Sequence, residues 1–252
     1  MTITSFLVSI ITPSYNSAQF IAETIDAVLA QTYTNWELLI TDDCSTDNTI
    51  EIVQSYIQKD SRIKLFQSEK NSGAGVARNN SIKEAKGRFI AFCDADDVWS
   101  SDKLEKQISF MIEKDVAFSY GNYDIIDEVG KITGRRVLRD KVSYSDMLLN
   151  NYIGTLTAMY DTEKVGKNYM ESVRNRQDWV LWLAILKKTD WAFNVSQKIG
   201  FYRISNNSIS RNKMKMMKYN WLVYRKYEKF SFVKSCYYII RYVFMYLKKV
   251  NL

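Results

Sequence analysis

Phe89-Ile90-Ala91-Phe92-Cys93 is an apolar run of strand length, and it ends abruptly in three carboxylates, Asp94, Asp96 and Asp97. A buried strand exposes such a cluster only at its tip, where it leaves the sheet. Acidic side chains are almost never fully buried without a partner, and gathered this closely they repel one another unless a cation neutralises them. Hard, oxygen-seeking Mg²⁺ or Mn²⁺ suits carboxylates, and Mg²⁺ characteristically bridges one or two of them to substrate phosphates. The chemistry on offer is a divalent-metal site for a phosphorylated ligand. The plain alternative is a polar loop that caps the next helix with Ser101 or Asp102.

One absence narrows the mechanism: the chain has no histidine. Ser-His-Asp and Cys-His hydrolysis, His-ligated zinc and histidine base chemistry are therefore excluded. A proton abstracted near neutral pH would have to pass to an Asp or Glu. The three cysteines, Cys44, Cys93 and Cys236, form no CxxC or zinc spacing, which suits a reducing compartment.

The elements that must position these groups alternate. Leu7 to Thr12 reads as a strand stopped by Pro13, and Phe20 to Leu29 as a helix. Trp36 to Thr41 is a second strand, ended by Asp42-Asp43-Cys44-Ser45-Thr46-Asp47. Ile50 to Ile57 marks a helix, Ile63 to Phe66 a third strand, Ala74 to Lys86 a helix, and Arg88 to Cys93 the strand that bears the acids. Such alternation predicts βαβ units and a mostly parallel sheet. In an open α/β sheet ligands bind beyond the carboxyl ends of the strands. Three of those ends carry polar clusters: Ser14-Tyr15-Asn16, Asp42-Asp43 and Asp94 to Asp97. Their convergence on one edge favours a site there.

After Trp99 the pattern loosens. Leu104 to Ile112 is helical, Val116 to Tyr120 a strand, and Asp127 to Gly130 a hairpin turn. Thr155 to Tyr160 reads as a strand, Trp179 to Lys187 as a helix and Lys198 to Ile204 as a late strand. Gly73-Ala74-Gly75-Val76-Ala77-Arg78 fails as a dinucleotide fingerprint, because Arg78 replaces the third glycine and the run follows the third strand, not the first. The start of that helix and Arg78 could still meet an anion. The expected organisation is one domain over 1–210, with a nucleotide half to about 100 and an acceptor half beyond it, then a helical tail over 211–252.

The ordered set Ile10 to Asn16, Glu37 to Asp47, Gly73 to Asn79 and Asp94-Ala95-Asp96 resembles the family 2 glycosyltransferases, inverting enzymes of the GT-A fold. The likeness is close over roughly the first hundred residues. It implies transfer of a single sugar from a nucleotide-sugar donor, with UDP as the nucleotide, to a glycan acceptor that is lipid-linked, in bacterial surface polysaccharide synthesis. By that match Pro13, Tyr15, Asp43, Arg78, Asp94 and Ala95 surround the nucleotide: Tyr15 stacks on the base and Asp43 bonds its edge. Asp96, with Asp94, holds Mn²⁺ or Mg²⁺ on the diphosphate. Arg174 to Trp179 matches the family's Glu-Asp pair before an aromatic helix, with Gln177 replacing the first acid, which makes Asp178 the catalytic base. From the residues alone, Asp178 is also an ordinary N-cap of the helix that begins at Trp179. Phe201 to Arg211 resembles a late segment in which Arg203, Ser208 and Arg211 would close over the diphosphate. Ser205 stands there where a His is usual. A solvated loop is the alternative.

The charge of +7 is unevenly spread, with Glu228 the single acid between Arg211 and Lys249. Phe230 to Leu247 mixes aromatic and basic residues, and charges interrupt every window of spanning length. Such a segment suits the headgroup region of an anionic membrane rather than nucleic acid. Docking on the core or in an oligomer is the competing reading. The first residues show no cleavable leader, so a cytoplasmic protein is expected, peripheral on the inner face of the cell membrane.

Overall fold

The computed structural model describes residues 5–204 and 213–250, and of 213–215 and 246–250 the backbone alone. The first half follows the predicted alternation: β1 (Val8–Ser14), α1 (Ile21–Leu29), β2 (Trp36–Asp42), α2 (Thr49–Ile57), β3 (Ile63–Gln67), α3 (Ala74–Glu84) and β4 (Phe89–Phe92). These strands lie in the order β3-β2-β1-β4 and every pairing is parallel. β1, β2 and β4 are buried along their whole lengths. Helices cover both faces of the sheet, which explains why the strands read as unbroken apolar runs.

Pro13 does not stop β1, which continues to Ser14 in register with Asp42. Pairing with β4 ends at Ile11. Beyond it the β4 side of β1 needs no amide donor, so a residue without an N–H is tolerated there.

The second half comprises β5 (Val98–Trp99), α4 (Lys103–Glu113), β6 (Phe118–Ile126), β7 (Ile132–Arg136), β8 (Lys141–Ser143), α5 (Tyr144–Leu149), β9 (Met159–Asp161), α6 (Thr162–Val165), α7 (Gln177–Ile185) and β10 (Trp191–Arg203). β9 inserts antiparallel between β4 and β6, while β10 runs parallel to β6 and antiparallel to β5. The sheet is thus parallel through the first half and mixed beyond it. The Asp127 to Gly130 turn joins β6 to β7 as expected. The run from Thr155 is not one strand. Its first residues form a short 3-10 turn, Thr155–Thr157, and only Met159–Asp161 pairs.

Ile21, Ile25, Val28, Val53, Leu104 and Ile108 of α1, α2 and α4 pack on one face of the sheet. Ile82, Trp179, Trp182 and Leu183 of α3 and α7 pack on the other. The C-terminal tail joins this second core. It contains α8 (Lys213–Leu222), a π-helical turn (Val223–Tyr227) and α9 (Phe232–Val250). Val223 and Tyr224 are fully buried, and the Tyr224 hydroxyl donates to the Leu148 carbonyl at 2.7 Å. Its ring meets Trp179 edge-on, and Tyr238 and Ile239 of α9 pack on the same core. Lys187 pairs with Glu228 at 2.7 Å. A large side chain buried this way contributes about 1.5–3 kcal/mol.

Candidate active site

The carboxyl ends of β1 and β2 are tied to one another. Asp42 accepts from the Ser14 hydroxyl at 3.0 Å, from the Ser45 amide at 2.8 Å and from its hydroxyl at 2.5 Å. Asn16 is left-handed (φ 48°) and its Oδ1 accepts from the Thr46 amide at 2.8 Å. This leaves Tyr15 half exposed at the tip of β1, with an open ring, while Pro13 and Ala95 are buried.

Asp43 is arranged differently from the expectation of an open base-edge acceptor. It is 2% exposed, and its carboxylate accepts the amides of Ser72 (2.9 Å) and Gly73 (2.6 Å) at the entrance to α3. Gly73 has φ 90°, a conformation in which a side chain would be strained. The anion bound by those amides is therefore the protein's own carboxylate, which fixes the β3–α3 loop beside the carboxyl ends of β1 and β2.

α3 carries Arg78 inward. Its Nη2 meets Asp94 Oδ1 at 2.5 Å, its Nη1 lies 3.5 Å from Gln177 Oε1, and its buried Nε–H has no hydrogen-bond partner. Beside this pair, burial and then the Asp94 charge push the Asp96 carboxyl up to about 6. Burial and then Asp96 and Asp94 push the fully buried Asp97 well above the usual carboxylate range. Two neighbouring carboxyls, Asp96 and Asp97, that burial and nearby negative charge push up in this way suit a divalent cation. Among the described residues no three potential ligands form a ready cage.

Arg203, expected to reach a phosphate, is turned inward. Its Nε donates to the Asp96 carbonyl (2.9 Å), its Nη1 to the Asp127 and Glu128 carbonyls, and its Nη2 to Glu23 at 2.5 Å. Its amide also donates to Asp97 Oδ1 at 3.0 Å. A side chain 1% exposed and engaged at all three nitrogens clamps the acidic loop rather than contacting a ligand. Ser208 and Arg211 lie outside the described residues.

Asp178 is the second residue of α7, not its N-cap. That position belongs to Arg176, left-handed at φ 69°, whose Nε donates to Asn220 Oδ1 (3.0 Å) and whose Nη2 donates to the Tyr242 hydroxyl (3.3 Å). Asn151 Nδ2 donates to Asp178 Oδ2 at 2.7 Å and sets the direction of the carboxylate. Arg78, Asp94, Asp97 and Asp178 all line one cavity of about 650 Å³, which Asn151, Arg136 and Tyr202 also wall. A second, of about 420 Å³, lies between Ser72 to Val76 and Glu171 to Arg174, and Gln177 stands in both walls. Gly75 makes room for it, since a Cβ there would fall 2.7 Å from the Gln177 side chain. Tyr15, Asp43, Asp96 and Arg203 do not line the larger cavity.

Sequence reasoning missed Asn151, Arg136, Arg176 and Tyr242. Each lies in a segment without a periodic signal at the site, or reaches it only through the docking of the tail.

Residues 9–166 match the model of the family described as glycosyl transferase family 2. TuaG of Bacillus subtilis strain 168, a glycosyltransferase named for teichuronic acid biosynthesis, is 43% identical over 96% of this chain and 97% of its own. WfgD of Escherichia coli, named a UDP-Glc:alpha-D-GlcNAc-diphosphoundecaprenol beta-1,3-glucosyltransferase, is 43% identical over 97% of this chain and 95% of its own. The fold matches the crystal structure of residues 1–349 of Staphylococcus aureus TarS in complex with UDP. The TM-score is 0.69 at 22% identity, covering 94% of this chain and 70% of that one.

Proposed function

This chain belongs to glycosyl transferase family 2, with the GT-A fold, and on that premise we propose that it transfers one sugar from a UDP-sugar, with inversion, to a lipid-linked glycan acceptor. The observation that carries the reading is the meeting of Arg78 and Asp94 from the nucleotide half with Asp178 from the acceptor half on one cavity. The donor diphosphate lies at the wall that Asp94 and the Arg78 guanidinium share. Tyr15 offers an aromatic face for the base at the edge of the sheet, beside the loop that Asp43 secures. The acceptor enters from the Asp178 side. As its hydroxyl oxygen attacks the anomeric carbon, the proton passes to Asp178. The bond from that carbon to the diphosphate oxygen breaks, and UDP leaves with the electron pair. The donated hydrogen bond from Asn151 keeps one carboxylate oxygen occupied and the other aimed.

Asp96 and Asp94 would hold the divalent cation, which supplies positive charge to the departing diphosphate when bound. The relatives' names point to an acceptor of the polyprenyl diphosphate kind, which the size of the cavity admits as a sugar-diphosphate head. The test is release of UDP from a panel of UDP-sugars, with a synthetic sugar-diphosphate lipid as acceptor, in Mn²⁺, in Mg²⁺ and in excess EDTA. One donor should turn over, in metal only. Full turnover in EDTA would remove the metal from the reading, and no turnover with any donor would remove the reaction.

A further inference from the structure

We infer that α9 is an interfacial helix: its outer face lies on an anionic bilayer surface while its inner face closes the acceptor cavity, holding that cavity at headgroup height. Val233, Tyr237, Ile240 and Phe244 recur three or four residues apart, which aligns them in one stripe. They are 78%, 50%, 67% and 54% exposed. On the opposite side Tyr238 packs on the core, and Tyr242 and Met245 wall the cavity that holds Asp178. Tyr242 also accepts from Arg176, two residues before Asp178. One helix therefore presents an apolar row outward and part of the site inward.

The charge around the row names its partner. Lys218, Arg225, Lys226, Lys229, Lys234 and Arg241 are all exposed. The one acid in this stretch, Glu228, is 3% exposed at its side chain and held by Lys187 and Tyr144. An apolar stripe with uncompensated cations beside it complements acyl chains below anionic headgroups. In a two-fold pair of chains the same basic flank would face its own copy, which opposes that occupant. No helix among the described residues is long and apolar enough to cross a membrane, so α9 would lie in the interface rather than span it. The placing of the cavity at the headgroups rests on the lipid-linked acceptor proposed above, whereas the contact of α9 with the bilayer does not.

The experiment is co-sedimentation of the full chain with vesicles of phosphatidylcholine alone or mixed with phosphatidylglycerol, at low and high salt. It is run beside Val233→Glu/Ile240→Glu and Lys234→Glu/Arg241→Glu, all outside the site. Wild type should bind the anionic vesicles, more weakly in high salt. Each double variant should lose about tenfold or more in partitioning, while its melting temperature and its transfer to a short soluble acceptor stay at wild-type values. Unchanged sedimentation of both variants overturns the inference. So does a wild-type dimer in light scattering that the first variant converts to monomer without any loss of vesicle binding, because the face then belongs to a second copy. Should the glutamate pair fail to fold, Ile240→Gln is measured in its place, with the same two outcomes. Vesicle binding without transfer from any UDP-sugar would sink the reaction and leave the helix assignment standing. Transfer without vesicle binding would do the reverse.

Discussion

At the scale of single residues, the site separates groups that face the cavity from groups that hold the surrounding loops still. Asp178 belongs to the first kind: it is partly exposed, lines the cavity and keeps one neighbour, Asn151. Asp178→Asn should lower turnover by roughly 10²–10⁴-fold, the usual scale for loss of a general base. Calorimetric affinity for UDP should stay near wild type. Equal losses in both measurements would make Asp178 a donor contact or a structural group. Arg203 and Asp43 belong to the second kind, though the sequence presents both as ligand contacts. Residue type and spacing make the cluster of acids and the Arg visible. They do not say which side chains point inward, because that depends on partners such as Glu23, which lies 180 residues from Arg203. Asn151 was invisible for the same reason. A lone Asn in an irregular segment carries no pattern until the fold sets it against a carboxylate.

At the scale of elements, the first hundred residues were readable because β1, β2 and β4 are buried on both faces and the helices between them on one. The apolar period therefore reports the structure directly, and only the ends of strands shifted. Beyond Trp99 the strands lie among antiparallel neighbours and irregular turns, so β9 contributes too few residues for a period to show. α4 hides one further element-scale device. Lys103 is fully buried, its Nζ donating to Gln107 Oε1 at 2.6 Å and lying 3.9 Å from the centre of the Trp99 ring. Burial lowers its pKa to about 7, although the nearby Cys93 opposes the shift. Between that value and the ordinary value near 10.4 the unfolded chain binds a proton that the folded chain does not, so stability rises with pH across the window. Wild type should gain about 2 kcal/mol relative to Lys103→Met between pH 7 and pH 9. Urea unfolding of both proteins at pH 7, 8 and 9 measures it. A difference between them that stays constant with pH would mean that Lys103 keeps its ordinary pKa in the folded protein. The Gln107 acceptor left unpaired in the variant adds a cost that is independent of pH and does not disturb the comparison.

At the scale of the whole molecule, the tail is structural as well as basic. The sequence shows its charge and aromatic content, but not that Tyr224, Tyr238 and Ile239 complete a core begun by Trp179 and Phe92. Truncation after Lys229 removes Tyr238 and Ile239, uncovers Tyr224, and releases the Tyr242 tie to Arg176. The shortened protein should melt lower by several degrees, since 1 kcal/mol shifts a domain of this size by about 2–4 °C. Its transfer even to a soluble acceptor should fall, and a scanning melt with a paired activity assay decides it. An unchanged melting temperature would make the tail an appendage. The clamp on the acidic loop has a consequence in time as well as in space. β1 to β4 can pair as soon as they leave the ribosome, but Asp97 waits for the backbone of Arg203, 106 residues later. At roughly 5–20 residues per second, that is an interval of about five to twenty seconds. During it, the nascent chain has β1 to β4 but neither the clamp on its acidic loop nor the docked tail that ties down Arg176 beside Asp178. The parallel half of the sheet can thus form before its acidic loop is held in place.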